Sequence, residues 1–157
     1  MHITEGGLDD PRVIELLHIH RLRALAETAR GSAHALDLSG LRAPDVTFWS
    51  AWEGEARDTL VGIGALRRLS ADHGEVKSMH TAEAARGRGV GSALLRHIVA
   101  AARARGMSRL SLETGSWPYF AAARALYARH GFVECPPFGD YRPDPNSVFM
   151  TIELGPG

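Results

Sequence analysis

Apolar residues in this chain recur with two different periods, and the switches between them mark its elements. Val13, Leu16, Leu17, Ala24 and Leu25 fall at helical spacing, which predicts a helix that runs to about Arg30. Asp10 and Pro11 supply its N-cap and first residue. Ahead of it, polar and apolar residues alternate over 2–5, enough for a short first strand. Residues 46–53 and 59–69 are dense in aromatic and β-branched side chains and read as strands, joined by a turn at 53–55. Gly62 and Gly64 interrupt the second of these, a mark of close backbone packing or a bulge. A further turn at 71–74 returns the chain as a strand over 75–81, completing an antiparallel meander.

The helical period then resumes. Val90, Leu94, Ile98 and Ala101 share one stripe, with Leu95 and Ala102 beside it, and Gly106 stands where a C-cap glycine belongs. An alternating run over 108–114 follows. Strand, helix and strand in this order make a crossover, so the strands at 75–81 and 108–114 are expected to be parallel. A second helix over 119–130, capped by Gly131, leads to a short strand at 132–134, a proline-rich loop at 136–146 and a closing strand at 147–154. Residues 31–44 break both patterns. Within them 32–38 suggest a short helix and Ser39-Gly40 a turn, in a segment that either borders a substrate site or simply connects.

The chemistry sits where the third meander strand meets the helix, at Arg86-Gly87-Arg88-Gly89-Val90-Gly91. A loop that turns into a helix leaves backbone N–H groups unpaired at the positive end of the helix dipole. Such a corner holds anions, phosphate groups above all, and glycines let the backbone approach them. The order Gly87-x-Gly89-x-Gly91 is not the dinucleotide fingerprint, and no Gly-Lys-Ser/Thr follows to make a P-loop. Taken alone, a flexible, solvated basic turn is the plainer reading of the loop.

Composition narrows the partners. The 18 basic and 18 acidic side chains balance, which argues against a general nucleic-acid binder and makes any anion site local. The lone cysteine, Cys135, gives no internal disulfide and no thiolate zinc cluster, and no other metal-ligand set stands out. His18 and His20 read as surface or packing residues. The first residues do not form a signal peptide and no apolar run is long enough to span a membrane. At 157 residues, a single cytoplasmic domain spanning 1–157 is expected.

Arg86-x-x-Gly89-x-Gly91 is similar to the acyl-CoA motif of the Gcn5-related N-acetyltransferase (GNAT) superfamily, and Ala123-x-x-Leu126-Tyr127-x-x-x-Gly131-Phe132 to its second motif. The resemblance covers 59–134. It implies an α/β fold with a central mixed, mostly antiparallel sheet of about seven strands, splayed between the fourth and fifth and flanked by about four helices. Further stretches resemble a bacterial subgroup of YsnE or PaiA type. These are His34-Ala35-Leu36-Asp37-Leu38, Leu112-Glu113-Thr114-Gly115 and Phe138-x-x-Tyr141-x-x-x-Pro145-Asn146. Many relatives carry an asparagine seven residues before the tyrosine, where this chain has Phe120.

The activity so implied is acetyl-CoA-dependent transfer of an acetyl group to the amine of a small molecule, directly and within a ternary complex. A protein or peptide acceptor, or an acyl-CoA-binding module without turnover, are the alternatives. Acetyl-CoA would be the co-substrate and no metal would be needed. Its pyrophosphate would lie on Arg86, Gly87, Arg88, Gly89, Val90, Gly91 and Ser92, and its pantetheine arm along the backbone at Met79 and Thr81. Tyr127 matches the tyrosine that protonates the leaving thiolate, though it could equally pack and hydrogen-bond CoA. An acceptor amine must lose a proton, and Glu75 ranks first as the base, followed by Glu113, His80 and His34. For each of these alone, an ordinary hydrogen-bonded strand residue is the plainer reading. Tyr141, Arg142, Asn146 and Ser147 could line the acceptor pocket, with Arg142 or Arg42 gripping a carboxylate. A homodimer is consistent with the resemblance.

Overall fold

A computed structural model describes residues 1–155. Its strands are β1 (His2–Glu5), β2 (Val46–Glu53), β3 (Thr59–Arg68), β4 (His73–Thr81), β5 (Arg109–Gly115), β6 (Val133–Glu134) and β7 (Ser147–Glu153). The helices are α1 (Pro11–Ala26), α2 (Leu38–Leu41), α3 (Val90–Ala104) and α4 (Ala121–Arg129). The strands form one seven-stranded sheet in the order β1-β2-β3-β4-β5-β7-β6. All neighbours are antiparallel except β4 and β5, which run parallel as the crossover requires. The last strand inserts between β5 and β6, so β5 gains an antiparallel partner along its whole length, from Arg109↔Glu153 to Gly115↔Ser147. No described helix is long and apolar enough to cross a membrane.

Each helix begins and ends on a local device. The Asp10 carboxylate accepts the Arg12 backbone N–H at 2.9 Å, and Pro11 occupies the first turn of α1. The helix stops at Ala26 rather than near Arg30, because the chain turns after Glu27 and buries Thr28. The short helix expected at 32–38 lies later, at Leu38–Leu41, since Asp37 is its cap and accepts the Gly40 N–H at 2.8 Å. In α3 the buried stripe is Val90, Leu94, Leu95, Ile98 and Ala102, so Ala102 rather than Ala101 faces the sheet. A single 3-10 turn, Pro118–Phe120, precedes α4.

Two cores flank the sheet. Val13, Leu16 and Leu17 of α1 meet Phe48, Trp52, Ile63 and Ala65 on one side. On the other, α3 packs on Trp49, Ala51, Val61 and Leu66. The glycines of β3 are what lets α3 come down: a Cβ on Gly62 would stand 2.8 Å from both Val90 and Leu94, and one on Gly64 would meet Ile98 at 3.0 Å and Met79 at 2.9 Å.

The feature that shapes function is a parting of strands. β4 and β5 pair only at His73↔Arg109, Gly74↔Leu110 and Glu75↔Ser111. Beyond that, β4 slips by one residue against β3, between Ile63↔His80 and Ala65↔Lys77, with Ser78 in the left-handed region at φ 56°. The bulge turns the rest of β4 away from β5 and leaves its edge at 76–81 without a strand beside it.

Replacing Gly62 with alanine is expected to lower stability by roughly 1–3 kcal/mol, the usual cost of overfilling a packed core, as measured by urea unfolding. An unchanged midpoint would mean that α3 can lift from β3 without penalty.

Candidate active site

The gap between the parted strands opens into two cavities that meet. The larger, of about 330 Å³, runs from the end of β4 to the first turn of α3 and is lined by Met79, Thr81, Arg86, Gly87, Gly89, Val90, Gly91, Ser92 and Tyr127, among others. Gly89 is the N-cap of α3 at φ 83°, and Gly87 has φ 79°, both with open space where a Cβ would be. Gly91 serves packing instead: a Cβ there would meet Leu126 of α4 at 3.0 Å. Backbone N–H groups of residues 87–92 donate to no protein acceptor among the described residues, so the loop retains its anion-binding capacity. Arg88 does not line the cavity; its guanidinium pairs with Glu53 at 3.0 Å.

Tyr127 stands where the cavities join and lines both, as do Met79, Phe120 and His20. Its side chain is buried against Phe132, and burial, then the nearby Glu113 charge, pushes the phenol well above its usual range. Phe120, which occupies the position of the asparagine in many relatives, lies so close to Gly115 that any Cβ there would run into its ring. Arg124 holds this corner, donating to the carbonyls of Gly115 and Trp117 at 2.6 and 3.1 Å. His20 and His80 face each other with Nδ1 atoms 3.1 Å apart, and burial lowers them to about 3 and about 4, so both are neutral near pH 7.

The smaller cavity, of about 110 Å³, lies between β4, β5 and residues 28–35. Glu113 and Lys77 are the charged side chains that line it. Burial raises the Glu113 carboxyl to about 7; Glu75 and Asp144 add to the rise, while Ser147 and Lys77 oppose it. Lys77 is 9% exposed, and its ammonium donates to the His34 carbonyl at 3.1 Å, the Tyr141 hydroxyl at 3.0 Å and the Glu75 carboxylate at 3.5 Å. Tyr141 in turn donates to Glu75 at 2.6 Å. Glu75 is 1% exposed and lines neither cavity. The pair is thus a buried ion pair in which the three ammonium protons and the Oε2 atom of Glu75 are hydrogen-bonded, and such bonds are what a buried pair needs to persist.

The structure therefore gathers most residues named from sequence and disperses a few. Met79, Thr81, Arg86, Gly87, Gly89, Val90, Gly91, Ser92, Tyr127 and His80 surround the larger cavity, and Glu113 and His34 the smaller. Arg42 is bound to Asp9 at 2.7 Å on the surface, Arg142 lines neither cavity, and Asn146 braces its own loop through Asp144 and Trp117. Lys77 was not among the sequence candidates. The available signal was a lysine at the centre of a strand expected to lie between two others, a placement that requires a partner. Cys135 lines neither cavity.

Comparison with known proteins gives a consistent family. Residues 14–132 match the model of the acetyltransferase (GNAT) family. The chain is 48% identical over 156 residues to the uncharacterized N-acetyltransferase YsnE of Bacillus subtilis, covering 98% of this chain and all of the relative. It is 50% identical over 152 residues to the uncharacterized N-acetyltransferase YedL of Escherichia coli, covering 97% and 94%. Among solved structures it is similar to one described as an acyl-CoA N-acyltransferase from Klebsiella pneumoniae, with a TM-score of 0.78, 32% identity and coverage of 98% and 97%.

The raised Glu113 carboxyl makes a signed prediction. Its folded pKa of about 7 lies above the ordinary 4.5, so the unfolded chain gives up this proton first as pH rises. Below about pH 4.5 the group is neutral in both states and costs nothing; stability drains away between there and about 7, and stays lower above. Glu113→Gln is expected to match the parent near pH 4.5 and to exceed it by about 1–3 kcal/mol near pH 8, read from urea unfolding at both values. Equal stability at both would show that the carboxyl is not held in an unfavourable site.

Proposed function

This chain belongs to the acetyltransferase (GNAT) family, and on that premise we propose that it is an acetyl-CoA-dependent N-acetyltransferase acting on a small amine by direct transfer in a ternary complex. The observation that carries the reading is the meeting of two cavities at Tyr127, one ending on a helix N-terminus and the other on Glu113.

The donor fits the larger cavity. The free N–H groups of residues 87–92 and the charge of Arg86 suit a pyrophosphate, with Arg88 adding charge from its place beside Glu53. The unpaired edge of β4 at Met79 and Thr81 suits an amide-bearing arm that pairs as a strand would, and a backbone N–H near Met79 would polarise the thioester carbonyl.

The acceptor nitrogen enters from the smaller cavity. It attacks the thioester carbon, the C–N bond forms, the C–S bond breaks, and the thiolate leaves into the larger cavity. The proton lost by the amine goes to Glu113, which the geometry favours over Glu75 because it lines the acceptor cavity and Glu75 does not. A carboxyl at about 7 is matched to this work near neutral pH. Glu75 instead holds Tyr141 and Lys77 in place. Tyr127 donates its hydroxyl hydrogen toward the thiolate. While Glu113 is ionised, its charge makes Tyr127 a weaker acid. When Glu113 takes the amine's proton that charge is gone, so the base step eases the acid step. That Cys135 lines neither cavity supports transfer without a thiol nucleophile.

Isothermal titration is expected to show acetyl-CoA binding, and an amine panel to release free CoA thiol. A failure to bind acetyl-CoA would sink the proposal. Tyr127→Phe is expected to cut kcat roughly 10²-fold while changing acetyl-CoA affinity little. A turnover unaltered by this change would remove Tyr127 from the chemistry.

A further inference from the structure

Resting on the acetyl-transfer reading, we propose that the acceptor is a compact cationic amine carrying no carboxylate, recognised in the smaller cavity by Glu113. The argument is one of charge and of spent donors. Glu113 is the carboxyl that lines this cavity, the charges of Glu75 and Asp144 act on it from behind the wall, and the one ammonium in the lining is Lys77. Lys77 has three N–H donors, and the His34 carbonyl, the Tyr141 hydroxyl and the Glu75 carboxylate take all three. A substrate carboxylate would have to displace one of these partners and would then face Glu113. Among the described residues no other permanently charged cation lines this cavity, and Arg124 beside it is taken by the Gly115 and Trp117 carbonyls. Burial holds His20 and His34 below their ordinary range, so neither carries much charge near pH 7. Arg42 is held by Asp9 and Arg67 by Asp45, and Arg142 lines neither cavity.

What the cavity does offer is the complement of an ammonium with a short body. Glu113 makes no salt bridge among the described residues. Thr28 and Ser78 line the cavity, and their buried hydroxyls have no hydrogen-bond partner in the protein. Unmet polar groups in a buried wall cost stability unless a ligand or water meets them. Ala24, Ala33, Ala35, Val76 and Ala123 supply a surface of small apolar side chains for the rest of the molecule.

The test compares matched sets in which only the carboxylate changes: alanine, alaninamide and ethylamine, and likewise valine, valinamide and isobutylamine. Binding to the protein saturated with CoA is measured by isothermal titration, and turnover by thiol release. The amines and amides are expected to bind at least about 10-fold more tightly than the parent amino acids, a difference of about 1.4 kcal/mol. Glu113→Gln is expected to remove that advantage while acetyl-CoA affinity stays as it was. Amino acids that bind or turn over as well as their amines would overturn the proposal and leave acetyl transfer standing. Acetyl-CoA binding with no amine of the panel binding the CoA complex would also overturn it. Loss of acetyl-CoA binding itself would instead strike at the transfer reading.

Discussion

A parallel pair of strands gives up its hydrogen bonds only if something compensates, and here β4 and β5 part after three pairs. Backbone groups left behind must find water, ligand or side chains. The bulge at Ser78 makes the separation abrupt, and the β7 insertion makes it tolerable, because β5 keeps a full antiparallel partner on its other side. One strand is therefore held rigidly while its neighbour swings away. Both cavities, the open edge at Met79 and the position of Tyr127 follow from that asymmetry.

The bent strand is also tied to two loops distant in sequence, and the tie rests on an ion pair within β4. Lys77 on β4 reaches the backbone of His34 in the early loop and Tyr141 in the late one, and Tyr141 reaches Glu75. Two segments with little regular structure are thereby docked on one lysine. An apolar residue of similar volume would pack there at lower desolvation cost, but it would bond neither loop. The His34–Tyr141 ring contact, with centroids 5.0 Å apart, shows how closely those loops approach once docked. The acceptor cavity has the shape that this network gives it.

Much of this was legible in the chain. The helical spacing of α3 and the continuous apolar run of β3 gave both elements nearly to the residue, because α3 buries one face and β3 is covered on both. Two of the three loop glycines stand at positive φ, as a tight turn needs, but the third serves Leu126, which spacing alone does not distinguish. The parallel pairing of β4 and β5 followed from the crossover, yet where it stops depends on a one-residue slip at Ser78 that no local signal marks. The long loops were the least legible part. Helix α2 was expected several residues early because leucines at 36, 38 and 41 fit more than one register, and Asp37 decides among them by capping. Arg42 was readable as a carboxylate clamp only while Asp9, 33 positions away, was unknown to be its partner. Glu75 and Glu113 looked alike in sequence, each within a strand. Their separation into a bonded strut and an unpaired carboxyl depends on Tyr141, 66 residues from Glu75.

That separation decides what the site can do. Two carboxyls on adjacent strands differ in environment: one has a phenol and an ammonium within hydrogen-bond reach, the other is half-buried with no salt bridge among the described residues. A carboxyl withdrawn from water with no cation paired to it takes a proton more readily near neutral pH. Glu113 is that carboxyl, and its charge is felt by the phenol on the donor side of the same junction. A charge in the smaller cavity that shifts the phenol at the junction couples the two cavities through space, with no movement of the backbone. In this fold the coupling arises because β5 stays straight, carrying Glu113 up to the junction, while β4 bends away and leaves the space between them open to two ligands.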